Sequence, residues 1–147
     1  MLCGCLGSQD ACVFCNIVHN IGETRIIVET EHLVAFRDRS PSAKVHFLVI
    51  PKEHIETIKD LTREHISLLH EMTELGKRLL KEEGFNPEDE TQIRLGFHVP
   101  PFNSVNHLHM HVIGLPFKNK FRYLKYKVGL PWFMDINALF MSLKSEL

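Results

Sequence analysis

Hydrophobic positions along this chain follow two rhythms. The stretches RIIVE (25–29) and LVAFR (33–37) are apolar and β-branched, and the polar turn Thr30-Glu31-His32 joins them, which predicts a strand pair. VHFLVIP (45–51) predicts a third strand ended by Pro51, and TQIRLGF (91–97) a fourth. In DLTREHISLLHEMTELGKRLLKEEGF, Leu61, Leu68, Leu69, Met72, Leu75 and Leu79 recur on one helical face, predicting a single long helix against a core. Asp60 or Thr62 can cap its start, Lys77, Arg78 and Lys81 suit its negative end, and Gly84 is a natural stop. His65 and His70 are expected on its surface. Val13, Ile17 and Ile21 mark a shorter helical pattern stopped by Gly22, and DINALFMSLKSEL predicts a closing helix capped by Asp135. Arg37-Asp38-Arg39-Ser40-Pro41 and the Pro-rich HVPPFNSVN read as loops, while KNKFRYLKYK interleaves bases with aromatics.

Another rhythm stands out in NHLHMHVI (106–113). On a helix, His107, His109 and His111 would lie about 200° apart in turn; on a strand they share a face. Leu108, Met110 and Val112 then fill the opposite face, so this is expected to be a fifth strand. About five strands with one long helix and shorter ones indicate a single α+β domain. A run i, i+2, i+4 on a strand spreads over about 13 Å, too far for all three rings to reach one ion. The three histidines are therefore expected to divide their tasks.

Seventeen basic and eighteen acidic residues leave a formal net charge of -1, so no global field draws the chain to nucleic acid or an anionic membrane. No apolar run approaches the roughly 20 residues of a membrane span, and the N-terminal residues lack a signal-peptide pattern. Cys3, Cys5, Cys12 and Cys15 all fall within the first fifteen residues. This clustering argues for reduced thiols, metal ligands or acylation in a cytoplasmic protein, with nuclear access open. Residues 1–11 read as a flexible tail, and Cys12-x-x-Cys15 has the spacing of half a zinc site.

HLHMHVI resembles the motif His-φ-His-φ-His-φ-φ of the histidine triad superfamily of nucleotide hydrolases and transferases. VHFLVIPKEH (45–54), AFRD (35–38) and CVFCNI (12–17) resemble its branch of histidine triad nucleotide-binding proteins. LGFHVPPFNS and the Trp-Phe-bearing tail are most similar to the third type in that branch. The resemblance spans residues 12–117, leaving 118–147 as a C-terminal extension. It implies a purine nucleoside phosphoramidase, with acyl-adenylates as further substrates. Dinucleoside polyphosphate hydrolysis, DNA-adenylate hydrolysis and nucleotide binding with vestigial activity are its rivals. It also implies a homodimer in which two five-stranded sheets join into one of ten strands.

Residue by residue, the resemblance makes His109 the nucleophile that forms a covalent nucleotidyl-histidine. Imidazole suits this, since one neutral nitrogen attacks while an acceptor holds the other. In the family that acceptor is the carbonyl of the first triad histidine, His107 here. His111 would donate to phosphate oxygens, His46 would support the site, and Ser104 and Asn103 would contact the phosphate or leaving group. Asp38 matches the carboxylate that grips the ribose hydroxyls, and Val13, Phe14, Ile17 and Phe36 match the apolar wall of the base. His98 and Val105, flanking the prolyl loop, count with the nucleotide-binding positions. Several members complete the cysteine pair with residues matching His54 and His107, giving a structural zinc site; members without the cysteines keep only a hydrogen-bonding histidine. No magnesium requirement is implied.

The chain departs from much of the branch in two places. His98-Val99-Pro100-Pro101-Phe102 replaces a glycine-rich loop, stiffening the side where the leaving group departs. Arg39 puts a cation where an apolar residue is common, a feature expected to favour acidic or acyl-phosphate leaving groups.

Overall fold

The structure, a computed structural model, describes residues 12–145. The expected tail with Cys3 and Cys5 lies outside them. A six-stranded antiparallel sheet has the order β1-β2-β3-β5-β4-β6. Its strands are β1 (Ile26–Glu29), β2 (Leu33–Arg37), β3 (Ala43–Pro51), β4 (Ile93–His98), β5 (Met110–Phe117) and β6 (Phe133–Asp135). The helices are α1 (Val13–Val18), α2 (Ile66–Glu82), α3 (Lys120–Lys125) and α4 (Ile136–Ser145).

Alternation along the strands sorts side chains onto two faces. Val45, Phe47 and Val49 of β3 and Met110 and Val112 of β5 join the main core with Leu69, Met72, Leu75 and Leu79 of α2. Their neighbours Leu48 and Ile50 face the other way, where α1 lays Phe14, Ile17 and Val18 against Val34 and Phe36. The histidine face is thus the face away from the long helix.

Four expectations need adjusting. The long helix does not start at Asp60 or Thr62: those residues serve two 3-10 turns, Ile58–Asp60 and Arg63–His65, and α2 begins at Ile66. Thr57 and Thr62 each cap with an extended backbone, so no continuous α-helix can run through them. Its end agrees, with Gly84 at φ +96° just beyond the last turn. In the histidine segment, the ladder begins only at Met110, although the alternation already holds from His107. His98 is the last residue of β4 rather than part of a loop. Finally, the tail supplies a sixth strand: β6 pairs with β4 over Gly96↔Asp135, Phe97↔Met134 and His98↔Phe133. Three residues are too few to show a period, and Asp135 also caps α4 through the Ala138 N–H, 3.0 Å from its Oδ1.

β4 tolerates this neighbour because Gly96 has no side chain. A Cβ there would meet the Met134 carbonyl oxygen and the Phe133 ring, both at 2.5 Å.

Candidate active site

His109 sits one residue ahead of β5, buried, with the Phe14 ring edge-on at 5.1 Å. Its Nδ1 lies 2.8 Å from the carbonyl oxygen of His107. A carbonyl can only accept, so Nδ1 carries the hydrogen and Nε2 keeps its lone pair. Burial lowers the pKa of this ring, partly opposed by the same hydrogen bond and by Asp38, and so favours the neutral, nucleophilic form.

His107 looks the other way. Its Nε2–H donates to the Pro51 carbonyl at 2.9 Å, which leaves the Nδ1 lone pair pointing at His54, Cys12 and Cys15. From Cys12 Sγ to the Nδ1 atoms of His54 and His107 the distances are 3.5 and 3.5 Å; from Cys15 Sγ they are 3.3 and 3.5 Å. The two Nδ1 atoms stand 3.1 Å apart. Ligands of a tetrahedral zinc ion, bound at 2.0–2.3 Å, lie about 3.3–3.8 Å from one another, so two sulfurs and two nitrogens fit that ion. A ring whose other nitrogen is held by a carbonyl is also the usual state of a histidine ligand. Cys12 has a free thiol, as the cysteine clustering suggested, but Cys15 is disulfide-bonded and joins a metal only after reduction.

Asp38, His46 and His111 form a second convergent group. His46 Nε2 is 2.9 Å from His111 Nδ1 and 3.3 Å from Asp38 Oδ2. Spacing alone would suit a metal, but tautomers argue against one. The Ser42 N–H donates to His46 Nδ1 at 3.0 Å, so in the neutral ring the hydrogen sits on Nε2, the very atom a metal would need. Asp38 Oδ1 accepts from the Ser40 N–H at 2.8 Å, and its lone pairs are not exhausted by these contacts. Desolvation drives His46 down to about 4, against the pull of Asp38, and pushes His111 well below the ordinary range.

The remaining expected positions gather unevenly. Phe14, Ile17 and Phe36 pack together with Val105 at their margin, and Phe14 meets Phe36 edge-on at 5.6 Å. Val13 points outward, 58% exposed. Asn103 donates to Val105 O and Asn106 Oδ1, lining a small recess with His98, Val105 and His109. Ser104 and Arg39 are exposed.

The tail contributes more to this site than its composition suggested. Tyr126 is buried with its ring 4.9 Å from His98, 5.0 Å from His111 and 5.6 Å from His46. Burial pushes its hydroxyl up to about 12, although a bond to Ser42 pulls the other way. Arg122 clamps the 40–42 turn through Ser40 O, Ser40 Oγ and Ser42 Oγ. Nothing in KNKFRYLKYK distinguishes the one buried aromatic from the exposed Phe121 and Tyr123.

Residues 11–127 match the family described as scavenger mRNA decapping enzyme C-term binding. The bifunctional adenosine 5'-phosphosulfate phosphorylase/adenylylsulfatase HINT4 of Arabidopsis thaliana is 45% identical, covering 82% of each chain. The adenosine 5'-monophosphoramidase HINT3 of Mus musculus is 41% identical over 90% of this chain and 81% of its own. A zinc-bound histidine triad family protein from Mycobacterium smegmatis superposes with a TM-score of 0.63 at 26% identity, over 77% of this chain and 81% of that one. With a family model matching residues 11–127 and relatives of this identity and extent, the chain belongs to the histidine triad family.

Proposed function

We propose that the protein is an adenosine 5'-monophosphoramidase. His109 Nε2 attacks the α-phosphorus of the substrate, the P–N bond breaks, and the amine leaves with a proton. Water then cleaves the nucleotidyl-histidine, releasing AMP and restoring the imidazole. The observation that carries this is the 2.8 Å hydrogen bond that fixes His109 with its lone pair on Nε2. Asp38 offers carboxylate acceptors to the ribose, and the cluster of Phe14, Ile17, Phe36 and Val105 offers an apolar surface to the purine. Further support comes from the 41% identical mouse relative.

In reduced protein Cys12, Cys15, His54 and His107 hold zinc, whose role is structural: it ties α1 to the segment that orients His109. The working unit is a homodimer in the cytoplasm; the joining edge there is β6 with the part of β4 that precedes Gly96, because the rest of β4 is already paired.

The 45% identical plant relative favours a second substrate, adenosine 5'-phosphosulfate. Both chemistries are tested by following AMP release from adenosine 5'-phosphoramidate, AMP-lysine, adenosine 5'-phosphosulfate, diadenosine polyphosphate and 5'-adenylated DNA, beside His109→Ala. Fastest turnover of the phosphoramidates, absent in His109→Ala, is expected. Turnover confined to the phosphosulfate selects the second substrate, and no turnover of any adenylate overturns both.

A further inference from the structure

Three buried rings form a hydrogen-bonded chain across the site. The Ser42 N–H meets His46 Nδ1 at 3.0 Å, His46 Nε2 meets His111 Nδ1 at 2.9 Å, and His111 Nε2 meets His98 Nδ1 at 3.2 Å. His98 Nε2 ends the chain on the Lys125 carbonyl, 3.1 Å away. The terminal groups have only one possible polarity each: an amide N–H donates and a carbonyl accepts. His46 and His98 must then each carry hydrogen on Nε2. For neutral rings only one arrangement of His111 remains, with hydrogen on Nε2 and the lone pair on Nδ1. The other tautomer would oppose two N–H groups at His46 and two lone pairs at His98.

The surroundings keep the rings neutral. Desolvation dominates at all three, and the Lys125 charge opposes a proton at each, joined by Arg122 at His46 and by His109 at His98 and His111; only Asp38, at His46 and His98, and the Lys125 carbonyl, at His98, pull the other way. The sole N–H of His111 is therefore committed to His98.

We propose that His98 is a positioning residue for the phosphoryl transfer: with His46 it fixes the tautomer of His111, and it alone holds and orients the Nε2–H that a phosphate oxygen comes to share. This rests on the hydrolase reading above. It differs from a packing role, because His98 lies in an aromatic setting, with the Tyr126 and Phe133 rings at 4.9 and 5.5 Å, where phenylalanine would fit. Asparagine, by contrast, keeps an acceptor near the place of Nδ1 and loses the ring.

Two measurements on the full chain test the proposal. Long-range ¹H–¹⁵N correlation spectra of histidine-labelled protein at neutral pH should show His46, His98 and His111 as Nε2–H tautomers, with the His111 Nε2–H signal losing its hydrogen-bonded shift in His98→Phe. An Nδ1–H form of His111 in the unsubstituted protein overturns the proposal. With adenosine 5'-phosphoramidate, His98→Phe should lower kcat roughly 100-fold with KM little changed, and His98→Asn should recover about tenfold of that loss. Phenylalanine performing as well as asparagine also overturns it. If the unsubstituted protein hydrolyses no adenylate, the hydrolase reading alone fails, and the tautomer spectrum still decides the matter.

Discussion

His109 donates its Nδ1–H to the carbonyl of His107, 2.8 Å away, so the residue that closes the cysteine–histidine cluster also orients the His109 ring and leaves its Nε2 lone pair free. Burial lowers the pKa of His109, which keeps Nε2 unprotonated to lower pH than an exposed imidazole. The acid limb of kcat/KM for phosphoramidate hydrolysis is accordingly expected below pH 6.5, the ordinary histidine value. A pH profile falling at or above 6.5 would contradict that placement of the ring.

Metal content is a separate question from catalysis. Protein purified under reducing conditions should hold one zinc per chain by elemental analysis, and Cys12→Ser or His54→Ala should hold almost none. Losing the tie between α1 and the 107–109 segment should lower the Tm by roughly 5–10 °C. Zinc retained in Cys12→Ser would remove the four-ligand site.

Stability should depend on pH through the two rings held at about 4, His46 and His98. Their unfolded counterparts titrate near 6.5, so between about 6.5 and 4 the unfolded chain binds more protons. Their neutral burial therefore carries no penalty above pH 6.5, and stability falls as pH drops through that window. The loss for the pair is of the order of a few kcal/mol, since the rings are linked and titrate together. Urea midpoints at pH 7.5, 6 and 5 measure it, and His46→Gln with His98→Gln should flatten the slope. A midpoint unchanged from 7.5 to 5 would refute this.

Gly96→Ala tests whether β6 supports the site. The new Cβ meets a main-chain oxygen of Met134, which cannot rotate aside, so β6 must move away. A cost of about 1–3 kcal/mol is expected, together with reduced kcat, because β6 pairs with His98 two residues on. Wild-type melting and turnover in this variant would show that β6 is not required.

Much of this architecture was legible in the chain. β-branched runs located β1 to β4, helical recurrence of Leu69, Met72, Leu75 and Leu79 located α2, and strict alternation placed the three histidines on one face. What stayed hidden depends on contacts between distant segments. Asp60 and Thr62 look like ordinary helix-start residues, yet Asp60 ends one 3-10 turn and Thr62, with extended backbone, caps another before α2 begins. The three residues of β6 have no period, and Tyr126 is one aromatic among several until the fold presses it against His111. Tautomers are likewise invisible in sequence, because they depend on which group lies across from each nitrogen.

Those opposing groups share one property: Pro51 O, His107 O, Ser42 N and Lys125 O are all main-chain atoms. Side-chain replacement at Pro51, Ser42 or Lys125 can alter packing while leaving that amide or carbonyl in the chain. The proton pattern of the site is thereby insulated from much sequence drift. A designer who reshapes substrate range through the surrounding side chains can do so while keeping the main-chain partners that fix where these rings carry their hydrogens.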